Sequence, residues 1–144
     1  VSGFAFSQLH DQYGTPDGRV WESQTDDAQE WAGHNPTALA PDLACTRLWL
    51  ASGNGAPGGP AGDDPSNPGG YMLEHFIWEM NLSFARALDD AGIEYETDFY
   101  GGGYHGWPYW QRDIHLALPW LMRWIRSSAP PTDCSTRAPG AAAA

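Results

Sequence analysis

The chain has 144 residues and a formal charge of −11, from 18 acidic residues against 7 basic ones, all of them Arg. That length fits one domain or part of one, and the acidity repels the phosphate backbone, which argues against nucleic acid as a partner. A hydrophobic content of 42% with eight Trp, six Tyr and five Phe is enough for a packed core and unlike a disordered composition.

No apolar run reaches the ~18 residues a membrane-spanning helix needs. The stretch from Val1 to Phe6 has neither a Met nor a basic region ahead of an apolar run, so it does not read as a signal peptide. It reads as the interior of a longer protein. Cys45 and Cys134 are the only cysteines, and their wide separation fits no metal or redox motif. A disulfide between them stays open, and so does the cellular compartment.

In chain order, residues 1–9 read as a short strand and turn, and 11–44 as an irregular polar region anchored by Trp21 and Trp31. Within it, Asn35-Pro36-Thr37 predicts a turn leading into a helix start, and Pro41-Asp42 a second short helical turn. Thr46 to Ser52 is a compact β-rich run stopped by Gly53-Asn54-Gly55, as expected of a buried strand in a parallel sheet. Residues 53–70 hold seven Gly and four Pro together with Asp63 and Asp64. Loops of this length inside a compact domain are often functional.

From Met72 to Ala91, the residues Leu73, Phe76, Ile77, Met80, Phe84, Ala87 and Leu88 recur at spacings of three and four, which predicts one helix with an apolar stripe. Gly92 stops it. Ile93 to Tyr100 predicts a second strand, closed by Gly101-Gly102-Gly103. A second long helix starts near Pro108 and continues through Ile114, Leu118, Leu121, Met122 and Ile125, with Pro119 expected to kink or split it. The expected organisation is one α/β unit over 1–126, with parallel strands joined by helical crossovers, and a disordered Pro/Ala-rich tail over 127–144. There are no internal repeats.

In such sheets, reactive groups gather at the carboxyl ends of strands. Three candidates fall there: Tyr104-His105-Gly106-Trp107 after the last strand, the Asp63 and Asp64 pair, and Glu74 in the first turn of the following helix. Glycines on both sides of His105 allow a sharp turn and close approach of a substrate, and a histidine there can take a proton near neutral pH. His10, His34, His75 and His115 read as surface or core histidines without a role, and no H-x-H or H-E-x-x-H spacing supports a metal site. The chain carries no G-x-S-x-G nucleophile turn. Ser52 has Leu50 where the first glycine belongs, Ser2 has too little chain ahead of it, and neither cysteine stands in a suitable place.

Four segments together resemble a known family. They are Asn35-Pro36-Thr37 with Pro41 and Leu43; Thr46-Arg47-Leu48-Trp49 with Gly53-Asn54-Gly55 and Pro57; Leu73-Glu74 with Phe76, Asn81-Leu82 and Phe84; and His105-Gly106-Trp107 with Tyr109-Trp110. In order and spacing, from about Trp31 to Trp124, they resemble the C-terminal half of the esterase family of α/β-hydrolases that includes the antigen 85 mycolyltransferases and esterase D-like enzymes.

The resemblance implies the C-terminal part of an α/β-hydrolase fold, a mostly parallel sheet with flanking helices. It implies a serine-dependent ester hydrolase or acyltransferase in which His105 is the catalytic base and Glu74 the acid that orients it, with Asp63 or Asp64 as the alternative acid. Trp107, Trp110 and Tyr104 would lie beside the substrate, which is a small-molecule or lipid ester, with water or a sugar hydroxyl as acceptor. No metal and no cofactor is implied. The serine would come from polypeptide outside this sequence, either the rest of a longer protein or a second chain. The alternative is a non-catalytic relative that binds carbohydrate or protein. Location in the cell envelope or outside the cell follows by family analogy.

Overall fold

The computed structural model describes residues 28–127. The strand expected at residues 1–9, the anchor Trp21 and the tail beyond Ser127 lie outside them. In order come a short helix α1 (Ala28–Gly33), a single 3-10 turn (Ala40–Leu43), strand β1 (Leu48–Gly53), helix α2 (Pro68–Asp90), strand β2 (Tyr95–Tyr100) and helix α3 (Trp107–Ile125). β1 and β2 pair in parallel, from Leu48 opposite Tyr95 to Gly53 opposite Tyr100. A parallel pair requires a crossover of a dozen residues or more, and α2 with the loop before it supplies this one.

Side chains on β1 alternate between two faces. Leu48 and Leu50 join Leu43, Phe84, Ala87 and Tyr95 around Ala40, Leu88 and Ile93, which form the buried core. Trp49 lies on the other face, with its ring 5.7 Å from that of Trp120 on α3. The strand is thus covered by a helix on each side, as its unbroken apolar reading anticipates.

Helix α2 begins at Pro68, four residues before the apolar pattern does. Its first turn, Pro68-Gly69-Gly70, carries no apolar side chain, so periodicity is blind to it. The start is fixed instead by Asn67, whose side-chain oxygen accepts from the Gly70 N–H at 2.9 Å, and by proline at a position where its missing donor costs nothing. At the other end Gly92, at φ +67°, closes a left-handed cap in which the Ile93 N–H reaches back to the Leu88 carbonyl at 2.9 Å.

Of the two outcomes expected at Pro119, helix α3 does not show a split. It runs unbroken through Pro119. Pro119 and His115 are both exposed, so the carbonyl that the missing N–H leaves unpaired can turn to water. Along the helix Ile114, Leu118 and Ile125 are exposed, Ile125 by 74%, whereas Tyr109 and Ala117 are buried. The apolar residues of α3 are divided between the two sides: Ala117 is buried and Trp120, Leu121 and Met122 are half-buried, while Leu118 and Ile125 are open to solvent among the described residues. The helix is anchored by polar contacts as well: Arg112 bonds Asp98 on β2 at 2.6 Å and Asp113 at 2.8 Å, and its guanidinium lies 4.5 Å from the Tyr100 ring centre. No described helix is long and apolar enough to cross a membrane.

Candidate active site

The carboxyl ends of β1 and β2 lie side by side, and the chain leaves both through glycine-rich turns. After β2, Gly102 (φ +80°) and Gly103 (φ +105°) bend the backbone in a way that L side chains rarely adopt. The close approach of Gly59 to Gly102 and Gly103 also leaves no room for a Cβ. This bend delivers His105 to the first turns of α2, where its N–H donates to the Gly70 carbonyl at 2.9 Å.

Nδ1 of His105 stands 3.1 Å from Oε2 of Glu74. The other oxygen, Oε1, accepts from the Gly53 N–H at 3.0 Å. Glu74 is nearly enclosed, its side chain 7% exposed, whereas His105 is 31% exposed. A carboxylate only accepts, so Nδ1 carries the proton in this contact and Nε2 keeps the lone pair. The imidazole is thus held at one nitrogen by a buried, backbone-anchored carboxylate, an arrangement that suits a base or proton shuttle.

Asp63 and Asp64 make their hydrogen bonds away from His105. Asp63 accepts from the Gly58 N–H at 2.8 Å and from the Tyr71 hydroxyl at 3.1 Å. Asp64 accepts from the N–H and hydroxyl of Ser66. Both carboxylates tie the long loop to itself, Asp63 also to α2 through Tyr71, and the carboxylate that stands beside the histidine is that of Glu74.

The aromatic residues divide. Trp110 meets His105 edge-on, with ring centres 4.9 Å apart, and Trp107 is perpendicular to Trp110 at 5.8 Å. They are 44% and 66% exposed. Both border a hollow of about 510 Å³ with Trp49, Ala51, Ile114 and Ala117. Tyr104, read from sequence as a substrate contact, is buried between Tyr71 and Tyr109. Its ring has neighbours on both sides and presents little accessible surface, so it supports the His105 loop from beneath.

Ser52, at the end of β1, is buried, and its hydroxyl accepts from Asn81 at 3.1 Å. His75 donates from Nδ1 to the Asn54 carbonyl at 3.1 Å and stacks on Trp78, and His34 and His115 are exposed. Among the described residues, no group of three or more His, Cys, Asp or Glu side chains could hold a metal ion. Cys45 is disulfide-bonded, and the other cysteine of the sequence, Cys134, lies outside the described residues. In the sequence Gly53 and Asn54 stand as a strand stop and within one of the resembling segments, and neither is singled out for a role at the site. Nothing in residue type announces that a backbone N–H will hold a carboxylate 21 positions away.

No protein-family model matches the chain. Curated relatives do. The chain is 32% identical over 112 residues to a diacylglycerol acyltransferase/mycolyltransferase Ag85B of Mycobacterium avium, covering 76% of this chain and 32% of that protein. It is 31% identical over 113 residues to the Ag85B of Mycobacterium intracellulare, covering 76% and 33%. With the Ag85C of Mycobacterium avium it shares 30% over 122 residues, covering 83% and 33%. The chain spans about a third of the length of the curated relatives it matches. The chain is a relative of the antigen 85 mycolyltransferases, and its parallel strands with their helices are part of an α/β-hydrolase fold.

Proposed function

We propose that these residues provide the base and the orienting acid of a serine-dependent acyl-transfer site, with His105 as the base and Glu74 as the acid. The observation that carries the reading is the His105 Nδ1 to Glu74 Oε2 contact at 3.1 Å, with the carboxylate buried and fixed by the Gly53 N–H. The names of the relatives, acyltransferases that act on diacylglycerol and mycolyl groups, support the reaction class.

The nucleophile is a serine that the 144 residues do not display in a G-x-S-x-G turn and that other polypeptide supplies. Its hydroxyl oxygen attacks the ester carbonyl while the proton passes to Nε2 of His105. Collapse of the tetrahedral adduct breaks the bond to the leaving alcohol, which takes that proton. Water or a sugar hydroxyl then attacks the acyl-serine, gives its proton to Nε2, and the serine recovers a proton as the acyl group departs. Glu74 holds the imidazole with its proton on Nδ1 throughout and favours the positive ring that forms in each half.

Trp107 and Trp110 offer apolar, flat surfaces beside His105, which fits a lipid ester as acyl donor and the face of a sugar as acceptor. A bonded Cys45 fits an oxidising location such as the cell envelope or outside the cell. The exposure of the same tryptophans also favours a second reading, a carbohydrate-binding module without catalysis.

The experiment is a fluorophosphonate label and a chromogenic ester applied to the chain together with its serine-bearing polypeptide. Labelling of a serine and ester turnover, both lost in His105→Ala, are the expected result. Turnover undiminished in His105→Ala overturns the catalytic reading, and sugar binding without serine labelling supports the second one.

A further inference from the structure

We propose that Asn54 is a positioning residue that sets the His105–Glu74 contact from the turn after β1. Its side-chain oxygen accepts two backbone N–H groups. One is local, Ala56 at 3.0 Å, and the other belongs to Gly102 at 2.8 Å, 48 positions along the chain. The next N–H on the far loop, from Gly103, reaches the Ala56 carbonyl at 2.8 Å. Two successive N–H groups of the turn that carries His105 therefore end on the turn that follows β1.

The same turn also holds the other partner. Gly53, the neighbour of Asn54, donates to Glu74 Oε1 at 3.0 Å, and the Asn54 carbonyl accepts from His75 on α2 at 3.1 Å. Residues 53–56 thus grip both the helix that bears Glu74 and the loop that bears His105. Of the side chains there, Asn54 alone provides the acceptor on which the two loops converge. Gly102 and Gly103 are buried, so the Gly102 N–H has no ready replacement by water, and a buried donor without a partner is strongly unfavourable. Gly102 also stands at φ +80° with Gly59 against it. A loop confined in that way responds to the loss of one bond by shifting as a unit, and His105 lies three residues on.

Only the acceptor oxygen of Asn54 is used in these bonds. Aspartate keeps two acceptor oxygens and leucine keeps the shape without any. The proposal rests on the His105–Glu74 pair as geometry, so it stands or falls apart from the acyl-transfer reading.

The test is proton NMR of the chain, following the low-field resonance of the His105 Nδ1 proton, assigned by its loss in His105→Ala. In Asn54→Leu the resonance should be lost or shifted upfield, and in Asn54→Asp it should stay. Ile93→Val, a conservative trim of the buried core, should leave it in place and so separates positioning from general loosening. An unchanged resonance in Asn54→Leu overturns the proposal, as does equal loss in Asn54→Asp, or equal loss in Ile93→Val. Should Asn54→Leu fail to fold, Asn54→Gln, which displaces the acceptor by one methylene, carries the same comparison with the same readings.

Discussion

Glu74 and Gly53 are 21 residues apart, yet one carboxylate oxygen of Glu74 rests on the Gly53 N–H at 3.0 Å while the other faces His105 at 3.1 Å. The two bonds make different demands, and substitutions separate them. Glu74→Gln keeps an oxygen for Gly53 but offers His105 a less suitable partner, one able to donate as well as accept. On the proposed acyl-transfer reading, ester turnover by the chain together with its serine-bearing polypeptide should then fall by roughly four orders of magnitude, as when a catalytic histidine loses its orienting carboxylate, with little change in stability. Glu74→Ala leaves the Gly53 donor buried and unpaired and should also cost about 1–3 kcal/mol of folding stability. Steady-state kinetics with thermal unfolding of both variants decides. Full turnover in Glu74→Gln would remove the acid from its assigned role.

Glycine at position 53 is required by a close approach. A Cβ there would stand on the Gly102 carbonyl oxygen and against the Tyr100 ring. Gly53→Ala should therefore lose about 1–3 kcal/mol through overpacking, and the displacement falls on the strand ends that hold His105 and Glu74. Gly101→Ala, where a Cβ meets nothing within 4 Å and the residue is exposed, should be nearly silent. Chemical denaturation of the pair is the check, and equal midpoints would contradict the packing argument.

These glycines mark the boundary of what the sequence makes legible. The two strands and the two long helices can be read from apolar spacing and stop signals, because each rests on local chemistry, and the parallel pairing follows from their alternation along the chain. Glu74 and His105 stand out because both follow strand ends and both fall in recognisable segments. The choice of Glu74 over Asp63 and Asp64 follows from resemblance alone, since three carboxylates near one loop look alike in sequence. What separates them is tertiary: Asp63 and Asp64 find donors within their own loop, whereas Glu74 lies on the buried side of α2. Which part of the apolar stripe of α3 is covered is illegible in the sequence for a related reason. Periodicity shows that a helix has an apolar face, and only packing shows what that face meets.

That stripe yields a comparison of its own. Leu88 is completely buried in the core and Leu118 is 48% exposed on α3. Leu88→Ala should cost about 2–5 kcal/mol, and Leu118→Ala about 0.5 kcal/mol or less, as at other surface positions. Unfolding midpoints of the two variants, measured at several protein concentrations, settle the point. A large, concentration-dependent loss in Leu118→Ala would mean that the stripe is covered in solution.

The Arg112 cluster makes stability depend on pH in a definite sense. Burial pushes the Asp113 carboxyl above its ordinary value, against the pull of the Arg112 and Tyr100 hydrogen bonds. The folded state then binds this proton more tightly than the unfolded chain does. Between the ordinary carboxylate value and the raised one, the folded state carries the excess proton, so stability falls as pH rises through that window. Asp113→Asn removes the titration while retaining an oxygen that can accept from Arg112. The stability of the wild type relative to Asp113→Asn should therefore be greatest below the window and decline across it to a lower plateau. Thermal unfolding of both proteins from acid to neutral pH, with the Asp113 carboxyl carbon followed by NMR, provides the measurement. A difference that grows with pH would show that the pull of Arg112 outweighs the burial of the carboxylate.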